Sequence, residues 1–454
     1  MCVARICISL LVLLAFHPWL SSNFTSRINM TQREDKHFAT FAAERAGAPI
    51  KAIRFGKLVD GTGKVITNAV VLVEGDRIKS VGTGSSIPAG VQVIDLSQYT
   101  GIPGLIDAHT HITYYWDQAP GTRPWAQLGS RMPAVSMFLA QENARKALEV
   151  GVTTLRNLHA AEYTDVAMRD LINMVAMIGP RMFVSGYGLH IASQASRTAA
   201  PIPSKGQANG IDEVTRAVRE QIAAGADWVK MFGSTGSAQD VSGKQTFTYE
   251  EMKAAVDAAH SLGKKIAVHS YGPSGARDAV RAGADSIEHA TDMDDETIAE
   301  MVRRKTFYVP TIDHNRYYAE YRDQFGYGPE VAERLKDYVG RNLETAKRAF
   351  KAGVRFAMGS DAVFTMFGQN TRELGWFVRA GMTPQQALAA ATTEGAALLG
   401  MEKSLGAVAP GYFADIVAVE GNPLADINVV IDKVRWVMKG GSVVFDKPKP
   451  RATR

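Results

Sequence analysis

The sequence predicts an α/β protein, a (β/α)8 barrel of the TIM type with a small β-sandwich domain built from both ends of the chain. Two observations support this prediction. Eight short apolar segments between residues 104 and 404 are each followed by an amphipathic or alanine-rich segment, which is the alternation of a parallel sheet. Strand-like runs with glycine turns flank that region at 51–103 and 405–447. A chain of 454 residues, 46% of them hydrophobic, can bury the core of both units.

The first twenty-two residues are predicted to be a secretory signal peptide, followed by a polar lead-in segment at 23–50. Arg5 precedes an apolar run at 6–16, and Ser21 and Ser22 suit a cleavage site. That run is shorter than the roughly 20 residues of a spanning helix, so no stable membrane anchor is expected. The alternative is an uncleaved anchor, or a true start at Met30. We therefore expect a secreted or periplasmic protein.

Short strands separated by glycine turns predict the flanking β-sandwich. They occur in KAIRFGKLVDGTGKVITNAVVLVEGDRIKSVG from Lys51, and in FADIVAVEGNPL and VRWVMKGGSVVF near the other end. The barrel strands between them are LIDAHTHI, GVTTLRNL, PRMFVSG, DWVKMF, KKIAVHS, DSIEHA, FYVPTI and VRFAMGSDA. Helical segments such as DEVTRAVREQIAAG, YEEMKAAVDAAHSLG and PQQALAAATTEGAALLG alternate with them.

Charge and cysteine content narrow the function classes. Lys and Arg total 51 against 46 Asp and Glu, a net charge of +5 without dense basic runs, so no nucleic-acid partner is expected. Both cysteines, Cys2 and Cys7, lie in the first ten residues. Disulfides and thiolate metal sites are therefore not available to the rest of the chain, and any metal there is held by His, Lys, Asp or Glu.

Metal-capable side chains follow several predicted strands. His109 and His111 stand two apart, which puts both rings on one face of an extended chain. Further candidates at later strand ends are Lys230, His269, His289 and Asp361. Because active sites of such barrels lie at the carboxyl ends of the strands, all six are expected in one mouth.

Each candidate also has a structural alternative. A strand-terminal histidine can satisfy a core hydrogen bond, and a Ser-Asp pair after a strand can cap the next helix. Lys230 could form an ion pair with Asp361 or Glu288. A deprotonated lysine can instead react with carbon dioxide, and the resulting carbamate can bridge two ions.

The motifs AHTHI, VKMF, VHSYG, DSIEHA and MGSDA resemble those of the amidohydrolase superfamily in its binuclear form with a carboxylated lysine. The resemblance runs from about Lys51 to Phe445. Within the superfamily, the sequence is most similar to the imidazolonepropionase-related branch, which includes Xaa-Pro dipeptidases, carboxypeptidases acting on dipeptides and ochratoxin-hydrolysing amidases. The resemblance also implies a homo-oligomer.

The same resemblance implies two divalent metal ions, for which His, carboxylate and carbamate ligands suit zinc. His109, His111 and Asp361 would hold the more buried ion, and His269 and His289 the more exposed one, with carboxylated Lys230 between them. A water shared by two such ions has a pKa near neutrality. Asp361 would accept the proton of that water and deliver it to the leaving amine.

Substrate contacts are predicted from position. Tyr271 could donate to the carbonyl oxygen as it becomes an oxyanion. His190 in SGYGLH ends the third strand, where a catalytic residue in contact with the substrate is expected, although this sequence departs from the GGHG-like run common in the branch. A substrate carboxylate could be bound by Arg197, Arg316 or Arg372. Tyr114, Tyr115 and Trp116 either form an aromatic wall or pack their own loop.

These observations favour a secreted binuclear metal-dependent amidohydrolase that cleaves a small-molecule amide or dipeptide and releases a C-terminal amino acid, with ochratoxin-type amides among the candidates. One alternative is a mononuclear deaminase or cyclic-amide hydrolase of the same superfamily, in which Glu288 beside His289 is the extra acid. The other is a non-catalytic binding protein on a barrel scaffold.

Overall fold

The computed structural model describes residues 49–83, 87–191 and 205–447, so the predicted signal peptide and nearly all of the lead-in segment lie outside the described residues. The described strands are β1 Ile50–Val59, β2 Val65–Glu74, β3 Arg77–Thr83, β4 Gln92–Pro103, β5 Leu105–Thr110, β6 Val152–Asn157, β7 Arg181–Val184, β8 Trp228–Phe232, β9 Lys265–Ser270, β10 Ser286–His289, β11 Phe307–Val309, β12 Arg355–Phe356, β13 Ile416–Val419, β14 Val434–Lys439 and β15 Ser442–Asp446.

The described α-helices alternate with the middle strands. They are α1 Pro124–Ser130, α2 Pro133–Glu149, α3 Thr164–Asn173, α4 Gly210–Ala223, α5 Tyr249–Ser261, α6 Pro273–Ala282, α7 Asp295–Arg304, α8 Ile312–Glu320, α9 Arg322–Phe325, α10 Pro329–Ala352, α11 Glu373–Arg379, α12 Pro384–Ala390, α13 Thr393–Leu399 and α14 Asn428–Asp432. The chain therefore has the predicted α/β organisation.

One sheet joins the two ends of the described chain. Its seven strands run in the order β15-β14-β13-β4-β1-β2-β3, and only the β1–β4 pair is parallel. Strand β13 pairs with the end of β4, where Ile416 lies opposite Pro103. Alternating apolar side chains bury one face of this sheet, with Phe55 and Trp436 among the largest in its core.

The eight strands between these ends form two parallel sheets, ordered β5-β6-β7 and β12-β11-β10-β9-β8. Isolated backbone bridges link the edges of the two sheets. Leu189, which follows β7, pairs with Met231 of β8, and Thr110 of β5 pairs with Ala362, which follows β12. Short strands that are buried on both faces read as continuous apolar runs, which explains why the sequence located all eight.

Local sequence sets the helix ends. Thr248 and Glu251 form a reciprocal capping box at the start of α5, and Gly283 ends α6 in the left-handed conformation. The segment PQQALAAATTEGAALLG, expected as one helical stretch, is two helices, α12 and α13. The two helices are separate because the carbonyl of Ala391 accepts a hydrogen bond from the amide of Ile106 in β5. That carbonyl is then not used for a hydrogen bond within a helix.

Among the residues that the structure describes, no helix combines the length and the apolar character that crossing a membrane requires.

Candidate metal centre

The six side chains predicted from the strand ends lie together. Five of them line one cavity, and the sixth, His109, stands directly behind it against Asp361 and the His289 ring. The meeting point follows from topology, because parallel strands end at the same edge of their sheets. Asp361 reaches this edge through its amide, which donates to the carbonyl of His109 across 2.7 Å.

Asp361 is the centre of the cluster. Its Oδ1 lies 3.1 Å from Nε2 of His111 and 3.6 Å from Nε2 of His109, and its Oδ2 lies 3.9 Å from Nδ1 of His289. One ligand atom from each of His109, His111 and Asp361 falls within 4.8 Å of the others, a spacing that can hold one metal ion.

The ring orientations of the first two histidines are fixed from behind. His109 donates from Nδ1 to Glu288 across 2.8 Å, and His111 donates from Nδ1 to the carbonyl of His159 across 3.3 Å. Each hydrogen bond places the ring proton on Nδ1, so the Nε2 lone pair faces Asp361. Such orienting bonds are the usual surroundings of metal-binding histidines.

Several buried polar atoms of the cluster have no hydrogen-bond partner among the described residues. They are Nε2 of His109, Nε2 of His269, Nζ of Lys230 and Oδ1 of Asp361. Buried polar atoms normally have a hydrogen-bond partner, so four such atoms without one in the same cluster need a common explanation. A bound divalent ion supplies one, so the donor set fits the metal that the sequence predicts.

Burial keeps these groups in the protonation states that ligation needs. It lowers the pKa of His109, His269 and His289 well below the ordinary value, so their rings are neutral. It also lowers the pKa of Lys230 to about 8, against the attraction of Glu288 and Asp361. Lys230 forms no hydrogen bond with either carboxylate, so the simple ion pair considered as an alternative is not observed.

A buried network behind the cluster holds Asp361 in place. Asp107 accepts from the amides of His109 and Ser360, and also from the Asn370 side chain. These bonds tie β5 to the loop that follows β12. Asp361 itself has a φ of 52°, a left-handed conformation that is costly for a non-glycine residue and that the network maintains.

Glu288 does not face the cavity. It is fully buried, and it accepts from Nη2 of Arg156 across 2.9 Å, from the Ser286 hydroxyl and from His109. Because neighbouring residues of a strand point to opposite faces, Glu288 turns away from the side that His289 occupies. The role of extra acid considered for Glu288 therefore has no geometric support.

The cavity has a volume of about 180 Å³, and sequence reasoning missed part of its lining. His159 follows β6 by two residues, and His314 lies on the first turn of α8, with its Nε2 3.2 Å from Oδ2 of Asp361. Trp125 and Tyr318 also line it. The rule that strand ends carry the site would have found both histidines, had it been applied to strands two and seven.

The predicted substrate residues are only partly at the cavity. Tyr271 lines it, stacked on His269 with ring centroids 5.1 Å apart, and burial raises its pKa, so the hydroxyl stays protonated. Tyr114 lines it as well, but Tyr115 and Trp116 do not. His190 is not among the lining residues, and its catalytic role stays a prediction.

None of the three candidate arginines is seen at the cavity. Arg316 binds Asp313 with two nitrogens, at 2.6 and 2.8 Å, and Arg372 lies 3.6 Å from the same carboxylate. Both line a different surface depression. Arg197 lies outside the described residues. The described lining thus contains Lys230 as its only lysine or arginine.

Comparison with known proteins agrees with this geometry. The model of the amidohydrolase family matches residues 100–444, which covers all six candidate ligands. The chain belongs to the amidohydrolase family. Ochratoxinase of Aspergillus niger is 31% identical over 431 residues, covering 87% of each chain. Imidazolonepropionase of Streptomyces coelicolor is 27% identical, covering 78% of this chain and 86% of its own.

Solved structures give the same assignment. A Xaa-Pro dipeptidase with bound methionine in its active site superposes with a TM-score of 0.77 at 32% identity, covering 87% of this chain and 99% of its own. The Aspergillus niger ochratoxinase structure gives 0.75 at 28% identity, covering 88% of this chain and 96% of its own. This amidohydrolase is therefore a hydrolase acting on carbon–nitrogen bonds, with the His/His/Asp cluster expected of a metal-dependent family.

Proposed function

We propose that this amidohydrolase is a binuclear metal-dependent amidase or dipeptidase that releases a C-terminal amino acid from a small-molecule substrate. The observation that carries the proposal is Lys230. A fully buried amine without a hydrogen-bond partner among the described residues, in one mouth with four histidines and Asp361, suits a carbamate between two ions. The relatives named ochratoxinase and Xaa-Pro dipeptidase support the amide or peptide bond as the target.

The metal sites follow from the donor set. His109, His111 and Asp361 would hold one zinc ion, His269 and His289 the second, and carboxylated Lys230 would lie between them. When bound, such ions lower the pKa of a water towards neutrality and polarise a carbonyl group.

The chain's own residues supply the proton transfers. Asp361 accepts the proton of the attacking water on Oδ2, the oxygen farther from His109 and His111, and then delivers it to the leaving amine. Tyr271 donates to the carbonyl oxygen as it gains charge. For this its hydroxyl turns from Oδ1 of Asn315, which it contacts at a long 3.4 Å.

We also propose that the two parallel sheets close into a (β/α)8 barrel of residues 104–404, with 51–103 and 405–447 as the β-sandwich domain. The backbone bridges between Leu189 and Met231 and between Thr110 and Ala362 support closure, since they lie at the two gaps between the sheets.

A cyclic-amide hydrolase is the second candidate function, favoured by the similarity to imidazolonepropionase. Such an enzyme needs a single ion and a separate acid. The geometry of Glu288, whose oxygens already accept from His109 and Arg156, weighs against it.

The deciding experiment is hydrolysis profiling by mass spectrometry with zinc-loaded protein. The substrates are dipeptides, N-acyl amino acids and bulky aromatic amides such as ochratoxin, with cyclic amides and aminated bases as controls. Release of a C-terminal amino acid, with two ions per chain by elemental analysis, is the expected result. Activity confined to the cyclic amides, with one ion per chain, would replace the proposal by the second candidate.

We further propose that the protein is exported and that residues 1–22 are removed. The basic Arg5, the apolar run and the serines at 21 and 22 support this. Mass spectrometry of the mature chain expressed from the full gene tests it, since an intact Met1 would contradict cleavage. A homo-oligomer is proposed from family resemblance and is tested by light scattering.

A further inference from the structure

Helix α8 presents two polar side chains to the cavity. His314 and Tyr318 are four residues apart, so their side chains lie on the same face of the helix, one turn apart. Tyr318 is fully buried, and its ring is held edge-on against His314 and Phe325 with centroids 4.7 and 4.8 Å away. The position of its hydroxyl is therefore fixed by packing.

The hydroxyl of Tyr318 has no hydrogen-bond partner within the described part of the chain. Other buried tyrosines nearby are paired: Tyr317 shares a 2.7 Å hydrogen bond with Thr365, and Tyr271 contacts Asn315. A buried hydroxyl without a partner destabilises the fold. At a residue that lines the cavity, a bound substrate group is well placed to satisfy it.

The lining identifies the kind of group. Among the described lining residues, Asp361 is the only carboxylate and Lys230 the only amine, whereas there are several hydroxyl and imidazole groups. Such a surface suits a ligand that accepts hydrogen bonds through oxygen. The arginines that would otherwise bind a carboxylate, Arg316 and Arg372, face Asp313 instead.

We propose that Tyr318 donates a hydrogen bond to the carboxylate of the amino acid that leaves, which makes it a specificity-determining residue for substrates with a free C-terminus. The inference rests on the proposed amidase function and assigns its carboxylate subsite to α8. Before the substrate binds, the hydroxyl contributes nothing to folding that a phenylalanine would not.

The test is Tyr318→Phe, which removes one oxygen. The probes are the amino acid released from the best substrate and the amine that lacks only its carboxylate, each used as a competitive inhibitor. We expect the inhibition constant of the amino acid to rise about tenfold, the size of a lost hydrogen bond to a charged group. The inhibition constant of the amine stays the same, and Tm is unchanged or higher.

Tyr317→Phe is the matched control, since it removes the neighbouring hydroxyl that is paired with Thr365 and lies outside the cavity lining. It is expected to lower Tm and to leave both inhibition constants unchanged. Equal weakening of acid and amine in Tyr318→Phe, or no weakening of either, overturns the inference. A Tyr318→Phe protein that is destabilised as much as Tyr317→Phe, or does not fold, also overturns it, because the hydroxyl would then have a structural partner.

The two proposals fail separately. If the wild-type protein releases no amino acid from any substrate, the proposed function is wrong. If the wild type is active and Tyr318→Phe matches it, only the assignment of the carboxylate subsite is wrong.

Discussion

Replacement of Glu288 by glutamine tests how the metal centre is held from behind. The side chain is fully buried and links His109, through a 2.8 Å bond from Nδ1, to Arg156 through a 2.9 Å bond from Nη2. Glutamine keeps the shape but turns one acceptor oxygen into a donor. The substitution therefore removes the negative charge beside Arg156 in either orientation, and it turns the amide nitrogen towards either His109 or Arg156.

Each orientation has a calculable cost. If the amide nitrogen faces His109, the ring proton moves to Nε2, the atom that faces Asp361, and metal affinity falls about 10- to 100-fold, the range for lost orienting groups. In both orientations Arg156 loses its charged partner, at about 3–5 kcal/mol for a broken buried ion pair. We expect the lower end, about 3 kcal/mol, because Arg156 keeps its bonds to Ala108 and Ser286.

Two measurements check this prediction. Urea unfolding of metal-free protein gives the loss of stability, and zinc titration against a chelator gives the change in affinity. The control is Glu300→Gln, which breaks an exposed pairing with Arg303 and Arg304 and should cost no more than about 1 kcal/mol. Wild-type stability together with wild-type zinc affinity in Glu288→Gln would refute the reasoning.

Three further predictions concern the same region. Lys230→Ala should lose most bound metal and activity, with partial rescue by formate or acetate, and a variant that keeps two ions and full rate would contradict the bridging role. Asp361→Asn should keep some metal but lose turnover; a near-normal rate would assign the proton transfers to another group. Burial raises the pKa of Glu373 from 4.5 to about 8, so the folded chain binds a proton that the unfolded chain releases. The free energy of unfolding should therefore fall by about 2 kcal/mol from pH 6 to pH 8, and Glu373→Gln should remove this fall. The same dependence of the unfolding free energy on pH in wild type and variant, measured with urea, would contradict the prediction.

The sequence was sufficient to predict the parallel strands and which candidate ligands lie together at their ends. Buried strands leave continuous apolar runs, and the residue that ends each run is fixed by chain position, so the sequence alone places His269 and His289 at strand ends. The same reasoning predicted Asp361 at the cavity formed by the strand ends, although this residue follows β12 by several positions.

Contacts that depend on loop conformation could not be predicted. Arg316 looked like a carboxylate binder by position, but it lies on α8 three residues from Asp313, and the helix brings those two side chains together. His314 was missed because it lies on the helix that follows β11, beyond the residues that directly end the apolar run of that strand.

The two carboxylates beside the histidines differ in what surrounds them, and this decides which one can carry a proton. Glu288 accepts from His109, Arg156 and Ser286, so a proton added to it would break a bond to a buried donor. Asp361 is also buried, but it lines the cavity, and its Oδ2 lies away from His109 and His111 and faces His314 at 3.2 Å. A carboxylate with one oxygen open to the cavity can exchange a proton with substrate, whereas one enclosed by donors can only orient its neighbours.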